Sequence, residues 1–530
     1  MLLIIERTNL RPLSLCGAKS TSSYLPKRNV HSKSLRFGII DSQAENFQKV
    51  NSVNQEEVNK LQHELNTVLT DNRFKFLKNP ATQKFNWDEY LSRVTPVDEF
   101  NFSLLGKFYT ASEDKVLKKT GYKTNSKFAG STSSLTGLLS QIHFFLSKWK
   151  PPSFLGLSKK FRVAKNENHY TRLCRSPTSV HVSYQNGLHC IDKDQSLTSR
   201  EKGNTILMDI GKSLEAFFTL RREEYERYLK SENVSQKPKP QIDVFQYSKC
   251  RSLLIRSQLD CFDRTLPNSG VFDLKTRAVL GVRLNQAEPE NYDSYTLDRY
   301  YGNFVSYERE YYDMIRSAFL KYSLQARLGR MEGVFVAYHN TCQIFGFQYV
   351  SLKEMDKAIH WGKNIGDAEF KLSIQLLESI LRYVSSKFPK KSVRLMFSTQ
   401  GRTKDPALQV FVEVVSDKEN QKFDPAKLQR LNLSEDVNCS GRFYAFQVRS
   451  TSYVNGKRMF FVRKLRDTDR WTIQYKIYPC INQKAMYEKY LMLRYKLMKD
   501  ETKPRFVPYR LLNWYYRKPA TKTTGSKVSG

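Results

Sequence analysis

The chain has no C-x-x-C pair. Its eight cysteines (Cys16, Cys174, Cys190, Cys250, Cys261, Cys342, Cys439 and Cys480) are scattered over 530 residues. That spacing excludes a zinc ribbon and a disulfide scaffold and leaves reduced, intracellular thiols as the expectation. The eight histidines are equally dispersed, and none is assigned to a metal. No run reaches the ~18 apolar residues of a membrane span. Leu135 to Leu146 comes nearest, and Thr136, Gly137, Ser140, Gln141 and His143 interrupt it. Any membrane attachment is therefore expected to be peripheral. No internal repeat is visible. Acids are scarce, 52 against 87 Lys and Arg, for a net charge of +35.

The scarcity is sharpest at the start. Residues 1–40 hold one acid, Glu6, against Arg7, Arg11, Lys19, Lys27, Arg28, Lys33 and Arg36, with frequent serines. This is the signature of a mitochondrial transit peptide. A secretory signal fits less well, because the apolar stretch Leu2–Ile5 is too short. The remaining basic excess is spread through the chain, which points to an extended contact with a polyanion, nucleic acid or an anionic membrane surface. Hydrophobic residues at 40% and aromatics at 13% suffice for globular cores.

The pattern divides the remainder into four parts. Residues 41–124 are polar and helix-prone, with helical spacing over Glu56–Leu69. Residues 125–388 alternate helices and strands: an amphipathic stretch from Leu135 to Trp149, strands near Val180–His189, and a helix from Ile206 to Lys230 after the Asn204 cap. A Lys237-Pro-Lys-Pro240 linker comes next, then the strand Leu253–Asp260. Helices are expected over 307–330 and 354–387, with strands at 334–338 and 344–350 between them. Residues 389–482 read as an antiparallel β-rich domain, with strands near 393–397, 408–415, 442–449, 459–462 and 471–478. Residues 483–530 are a helix and a basic tail. The fold class expected is α/β (α+β): a mixed sheet flanked by helices, with a smaller β-rich domain behind it.

The most informative segment runs from Asp260 to Lys275. It joins a strand ending in Asp260 to a strand carrying Asp273-Leu-Lys275, through the turn residues Pro267-Asn-Ser-Gly270. Period-two alternation puts Asp273 and Lys275 on one face, and pairing of the two strands is expected to bring Asp260 to Asp273. The tripeptide alone is weak, since Glu113–Lys115, Glu369–Lys371 and Glu501–Lys503 match it too; the apolar strand and upstream acid give it weight. Phosphodiester cleavage needs a divalent cation on oxygen ligands. Asp260 and Asp273 are the candidate ligands for Mg²⁺ or Mn²⁺, with the Leu274 carbonyl as a third. Lys275 is the candidate to orient water and stabilise developing negative charge.

Arg256-Ser-Gln-Leu-Asp260 and Val271-Phe-Asp-Leu-Lys-Thr-Arg-Ala-Val279 resemble the fungal mitochondrial RNA 5′-end processing protein family, placed in the PD-(D/E)xK nuclease superfamily. Ser131-Thr-Ser-Ser-Leu-Thr-Gly137, His143-Phe-Phe-Leu, Met331–Thr341 and Ile344–Tyr349 resemble it as well. The similarity spans roughly 125–385. It implies a mitochondrial, membrane-associated 5′→3′ exoribonuclease acting on single-stranded RNA at the matrix side of the inner membrane, with mitochondrial RNA polymerase as a partner. In that superfamily an upstream helical acid completes the metal site; Glu215, beside the apolar stripe of its helix, is the candidate. The Q-x-x-x-Y motif of RecB-like members is unmatched, because Gly329 stands four residues after Gln325.

The 307–330 segment interleaves aromatic and basic residues suited to a single strand. Arg309, Arg316, Tyr322, Gln325 and Arg327 are its candidate RNA contacts. Two alternatives stay open: a non-catalytic RNA-binding regulator working with the polymerase, and a mitochondrial DNA exonuclease.

Overall fold

The computed structural model describes residues 36–44, 47–51, 53–161, 163, 167–197, 202–230, 243–284, 295–401, 405–415 and 441–502. Most of residues 1–40, expected as a targeting segment, the Lys237–Pro240 linker and the basic tail past 502 lie outside them.

The strands are β1 (Arg36–Asp41), β2 (Phe47–Lys49), β3 (Lys75–Phe76), β4 (Phe128–Ser131), β5 (Thr178–Gln185), β6 (Leu188–Lys193), β7 (Val244–Cys250), β8 (Leu253–Leu259) and β9 (Cys261–Phe262). They continue with β10 (Val271–Ala278), β11 (Gly333–His339), β12 (Ile344–Ser351), β13 (Val393–Thr399), β14 (Leu408–Val414), β15 (Phe443–Val454), β16 (Lys457–Met459) and β17 (Trp471–Pro479). The helices are α1 (Lys115–Lys123), α2 (Thr132–Leu146), α3 (Arg172–Arg175), α4 (Lys202–Thr219), α5 (Arg222–Glu226) and α6 (Leu280–Leu284). After them come α7 (Tyr307–Ser317), α8 (Phe319–Gly329), α9 (Leu352–His360), α10 (Lys363–Lys387) and α11 (Gln483–Thr502).

Two sheets result. The large one has twelve strands, ordered β1-β17-β15-β14-β13-β5-β6-β4-β8-β7-β2 with β16 on β15; the small one runs β3-β12-β11-β10-β9. Most pairs are antiparallel, while β4 runs parallel to β6 and β8, and β10 to β11. The small sheet buries both faces. Along β11, Val334, Val336 and Tyr338 enter one core and Phe335 and Ala337 the other, as a strand covered on both sides must. Helix α2 packs on the large sheet and against α8 and α10, nearly all of it buried. Its polar groups are all the more firmly tied for that: Ser140 Oγ donates to the Thr136 carbonyl and Gln141 to that of Ser176.

Several expectations change. The helical reading of 56–69 becomes two 3₁₀ turns, Gln55–Glu57 and Leu65–Thr70, anchored by Leu65 and Val68 in the core under α4. Residues 36–40, read as the end of a targeting segment, are the edge strand β1 on β17. The β-rich C-terminal segment continues the large sheet through pairing of β13 with β5, so no boundary separates it from the residues before it. The expected 206–230 helix stops at Thr219 and restarts as α5, and the 354–387 helix breaks at Trp361, held in the left-handed conformation. The 307–330 helix breaks at Ala318, whose φ of −124° is not helical.

Candidate active site

Strand β10 sorts its side chains by alternation. Phe272 and Leu274 join the core beneath α4, so Asp273 and Lys275 occupy the other face. Its expected partner β8 belongs to the large sheet. The two-residue β9 pairs with it instead, Phe262 to Val271 and Cys261 to Phe272. Asp260 is the single residue between β8 and β9, at the point where the chain crosses from one sheet to the other. Its Oδ2 accepts the Leu274 N–H at 3.0 Å, a donor that β9 is too short to pair.

The geometry brings the sequence-derived residues together. Lys275 Nζ donates to Asp273 Oδ1 at 2.8 Å and lies 3.8 Å from Asp260 Oδ2. The Leu274 carbonyl, expected as a metal ligand, accepts from Lys275 Nζ at 3.1 Å. Glu215 comes from α4, whose Gly211 passes Thr276 of β10. Glu215 is exposed to water but walled by protein, as a carboxylate in a recess is. It stands farther off than the two aspartates, and the three acids do not place one oxygen each within 4.8 Å of one another.

Charge is the tension in this site. Three carboxylates against one ammonium leave a net −2. Burial, and next the Asp273 carboxylate, push Asp260 well above the carboxylate range. Burial also pushes Glu215 up, to about 7; Lys275 opposes the shift and Asp273 adds to it. Asp273 Oδ2 is buried and no N–H reaches it, although the Asp260 carboxyl, when it holds its proton, hydrogen-bonds to Asp273. Such a carboxylate oxygen beside a carboxyl that resists ionisation fits a site built for a divalent cation. The strain has a thermodynamic sign: both carboxyls are raised, so the folded state binds protons more readily than the unfolded one and loses stability as pH climbs to neutral. Asp260→Asn should therefore raise the thermal midpoint in EDTA; an unchanged or lower midpoint contradicts the crowding.

The candidate RNA contacts divide. Tyr322 and Gln325 belong to α8, which packs on β8. The Tyr322 hydroxyl is raised by burial and feels Arg277, Lys275 and Asp273, and Gln325 Oε1 is buried without a partner. The three arginines have structural partners. Arg309 Nε donates to Asp313 and Arg316 Nε to the His169 carbonyl. Arg327 is buried and bound to both oxygens of Asp356, at 2.8 and 2.7 Å. Besides Lys275, Lys321 feels Asp273 and Lys212 acts on Glu215, while Lys193 stands beside Lys321; all three have side chains open to water, and partial desolvation and then the charges of Lys193 and Lys275 lower Lys321. Lys321 was visible as part of the aromatic-basic helix, one turn before Gln325. Lys193, at the end of β6, carried no signal in the sequence.

The fold is α+β, two sheets flanked by helices, and it gathers Asp260, Asp273 and Lys275 where the chain crosses from one sheet to the other. The model of the mitochondrial protein Pet127 family matches residues 108–382, more than half of the chain, and the protein belongs to that family. It is 52% identical over 478 residues to the mitochondrial mRNA degradation protein pet127 of Schizosaccharomyces pombe, covering 90% of this chain and 91% of that one. It is 38% identical over 307 residues to PET127 of Saccharomyces cerevisiae, covering 56% of this chain and 36% of that one. Among solved structures, Rai1 of Scheffersomyces stipitis aligns at a TM-score of 0.32 and 11% identity over 72% of this chain and 99% of that one, a loose likeness.

Proposed function

We propose that this protein degrades and processes mitochondrial RNA as a divalent-metal-dependent 5′→3′ exoribonuclease. The observation that carries the reading is the buried Asp273 Oδ2, which no N–H reaches, crowded against the raised carboxyl of Asp260. The name of the S. pombe relative supports RNA as the substrate and the mitochondrion as the compartment. The polarity of digestion rests on the family resemblance.

Asp260 and Asp273, with Glu215 as the third acid, would hold Mg²⁺ or Mn²⁺. The ion supplies a polarised phosphate and a bound water of lowered pKa. The other roles belong to the chain. Burial works against the charge of Lys275, but Asp273, Asp260 and Glu215 outweigh it and keep the ammonium protonated far above neutrality. Lys275 is thus a fixed positive charge for the attacked phosphate and not a general base. Glu215, near 7, can take up or release a proton in the working range. Lys321 and Lys193 offer positive charge to flanking phosphates of a single strand.

Protons and the cation compete for the same acids. Degradation should fall as pH drops through about 7, where Glu215 protonates, and more Mg²⁺ should move the midpoint to lower pH. Rate profiles at two Mg²⁺ concentrations check this, and a midpoint indifferent to Mg²⁺ contradicts it. The reading as a whole is tested by incubating the purified protein with 5′- and 3′-labelled RNA and DNA, in Mg²⁺ or EDTA. Mg²⁺-dependent release of the 5′ label from RNA is expected; a wild-type protein without turnover, or one indifferent to EDTA, removes the proposal. Within the mitochondrion the same reading seats the protein peripherally on the matrix side of the inner membrane, with mitochondrial RNA polymerase as partner. The +35 charge suits both RNA and an anionic surface, and no helix among the described residues is long and apolar enough to cross a membrane.

A further inference from the structure

Two of the dispersed histidines meet. His143 on α2, His360 at the end of α9 and Glu369 on α10 place one ligand atom each within 4.8 Å of one another, on elements that carry none of Glu215, Asp260 and Asp273. His143 Nδ1 lies 2.5 Å from Glu369 Oε1, and His360 Nδ1 lies 3.6 Å from Glu369 Oε2. All three side chains are buried, with exposures of 2%, 6% and 5%.

A cavity of about 20 Å³ adjoins them, bounded also by Ser147, Lys150 and Trp471. It has room for about one water-sized body. The indole Nε1–H of Trp471, a residue 2% exposed, is buried with no acceptor, and Ser147 Oγ is likewise unpartnered. A Trp N–H in a core normally finds an oxygen. A His–Glu hydrogen bond accounts for the 2.5 Å contact but leaves the cavity and the stranded donor unexplained.

We propose that His143, His360 and Glu369 form a zinc site, with an oxygen in the cavity as fourth ligand accepting from Trp471. Neighbouring ligands on tetrahedral zinc, at bonds of about 2.0–2.1 Å, stand about 3.3 Å apart. The 2.5 and 3.6 Å contacts run to the two oxygens of Glu369 and lie on either side of that spacing, and one atom of each residue fits within 4.8 Å, so side-chain adjustments admit the ion. The outer partners that orient ligating histidines are in place too. His360 Nε2 faces Asp356 Oδ1 at 4.0 Å, and His143 Nε2 lies 3.4 Å from the Tyr170 hydroxyl. Two imidazoles and one carboxylate select zinc over Mg²⁺, which prefers oxygen throughout. The opposing charge is Lys150, whose Nζ donates to the His360 carbonyl at 2.9 Å. It favours an anionic fourth ligand, a hydroxide rather than a neutral water. Zinc here would clamp α2, α9 and α10 to β17, which contributes Trp471.

The test uses the full chain carrying Asp273→Asn, so that the carboxylate recess is weakened as a metal site. Metal-stripped protein titrated with Co²⁺ should develop the intense visible absorption of a tetrahedral site, saturating at about one equivalent. The band should be absent from the same protein with His360→Gln. Added Zn²⁺ should abolish the band and raise the thermal midpoint of the parent but not of the His360→Gln protein. A band that survives His360→Gln overturns the assignment. Independently of how that variant folds, a parent protein that shows no band and takes up no zinc by elemental analysis overturns it as well.

Discussion

Asp273→Asn should abolish RNA degradation and leave RNA binding in place. Asparagine keeps the shape of the side chain and its buried position on β10, so the strand pairing with β11 survives. What changes is charge. The site loses one of three carboxylates and the buried Oδ2 that best explains a cation. Removal of a group that stabilises charge in a transition state costs about 10²–10³ in rate, and loss of the ion would cost more. RNA binding should not weaken: the change removes a negative charge beside Lys275 and Lys321, and phosphate contacts strengthen as local potential becomes more positive. Lys275→Ala should show the same loss of turnover with weaker binding, because a cation is lost. Single-turnover decay of end-labelled RNA in Mg²⁺, beside gel shifts in EDTA, separates the two quantities. Undiminished decay by purified Asp273→Asn protein would end the nuclease reading.

Arg327→Ala should destabilise the fold by about 3–5 kcal/mol without a comparable change in RNA affinity. Read from the sequence, Arg327 is one cation among many on an aromatic-basic helix. In the structure it joins three helices: it holds Asp356 of α9 through two bonds and Asp367 of α10 at 3.0 Å. Asp356 is 3% exposed, so truncating the arginine leaves a buried carboxylate with only His360, 4.0 Å away, beside it. Asp367 is open to water and contributes little. The packing is tight enough that a Cβ on Gly366 would collide with both Arg327 and Asp356, so Gly366→Ala should reproduce part of the loss. Lysine cannot supply the two-pronged contact and should rescue only weakly. Denaturant unfolding and RNA titration of the same variants decide the matter; Arg327→Ala protein of unaltered stability and reduced RNA affinity would return the residue to the RNA surface.

Both predictions depend on the difference between local and long-range information. Alternation belongs to the backbone, so Phe272-Asp273-Leu274-Lys275 could be sorted onto two faces from the sequence, as could the antiparallel strands after Val393. The acid-poor start, the basic excess and the Asp-x-Lys strand were likewise readable residue by residue. Helix continuity was not, because no proline or run of glycines marks the breaks at Ala318, Leu220–Arg221 and Trp361. Which sheet a strand joins is also settled at a distance: β8 looked like the partner of β10, but β8 pairs β4 and β7, and only Asp260 bridges the gap. The same holds for side-chain partners. Arg327 met Asp356 and Asp367, 29 and 40 residues away, and His143 met Glu369, 226 residues away, because contacts between separate elements depend on the whole core closing. Sequence by itself determined which residues share a strand face and what chemistry they can do; tertiary structure alone decided which acids, cations and imidazoles face one another, because burial and pairing are properties of the assembled sheets and not of any segment.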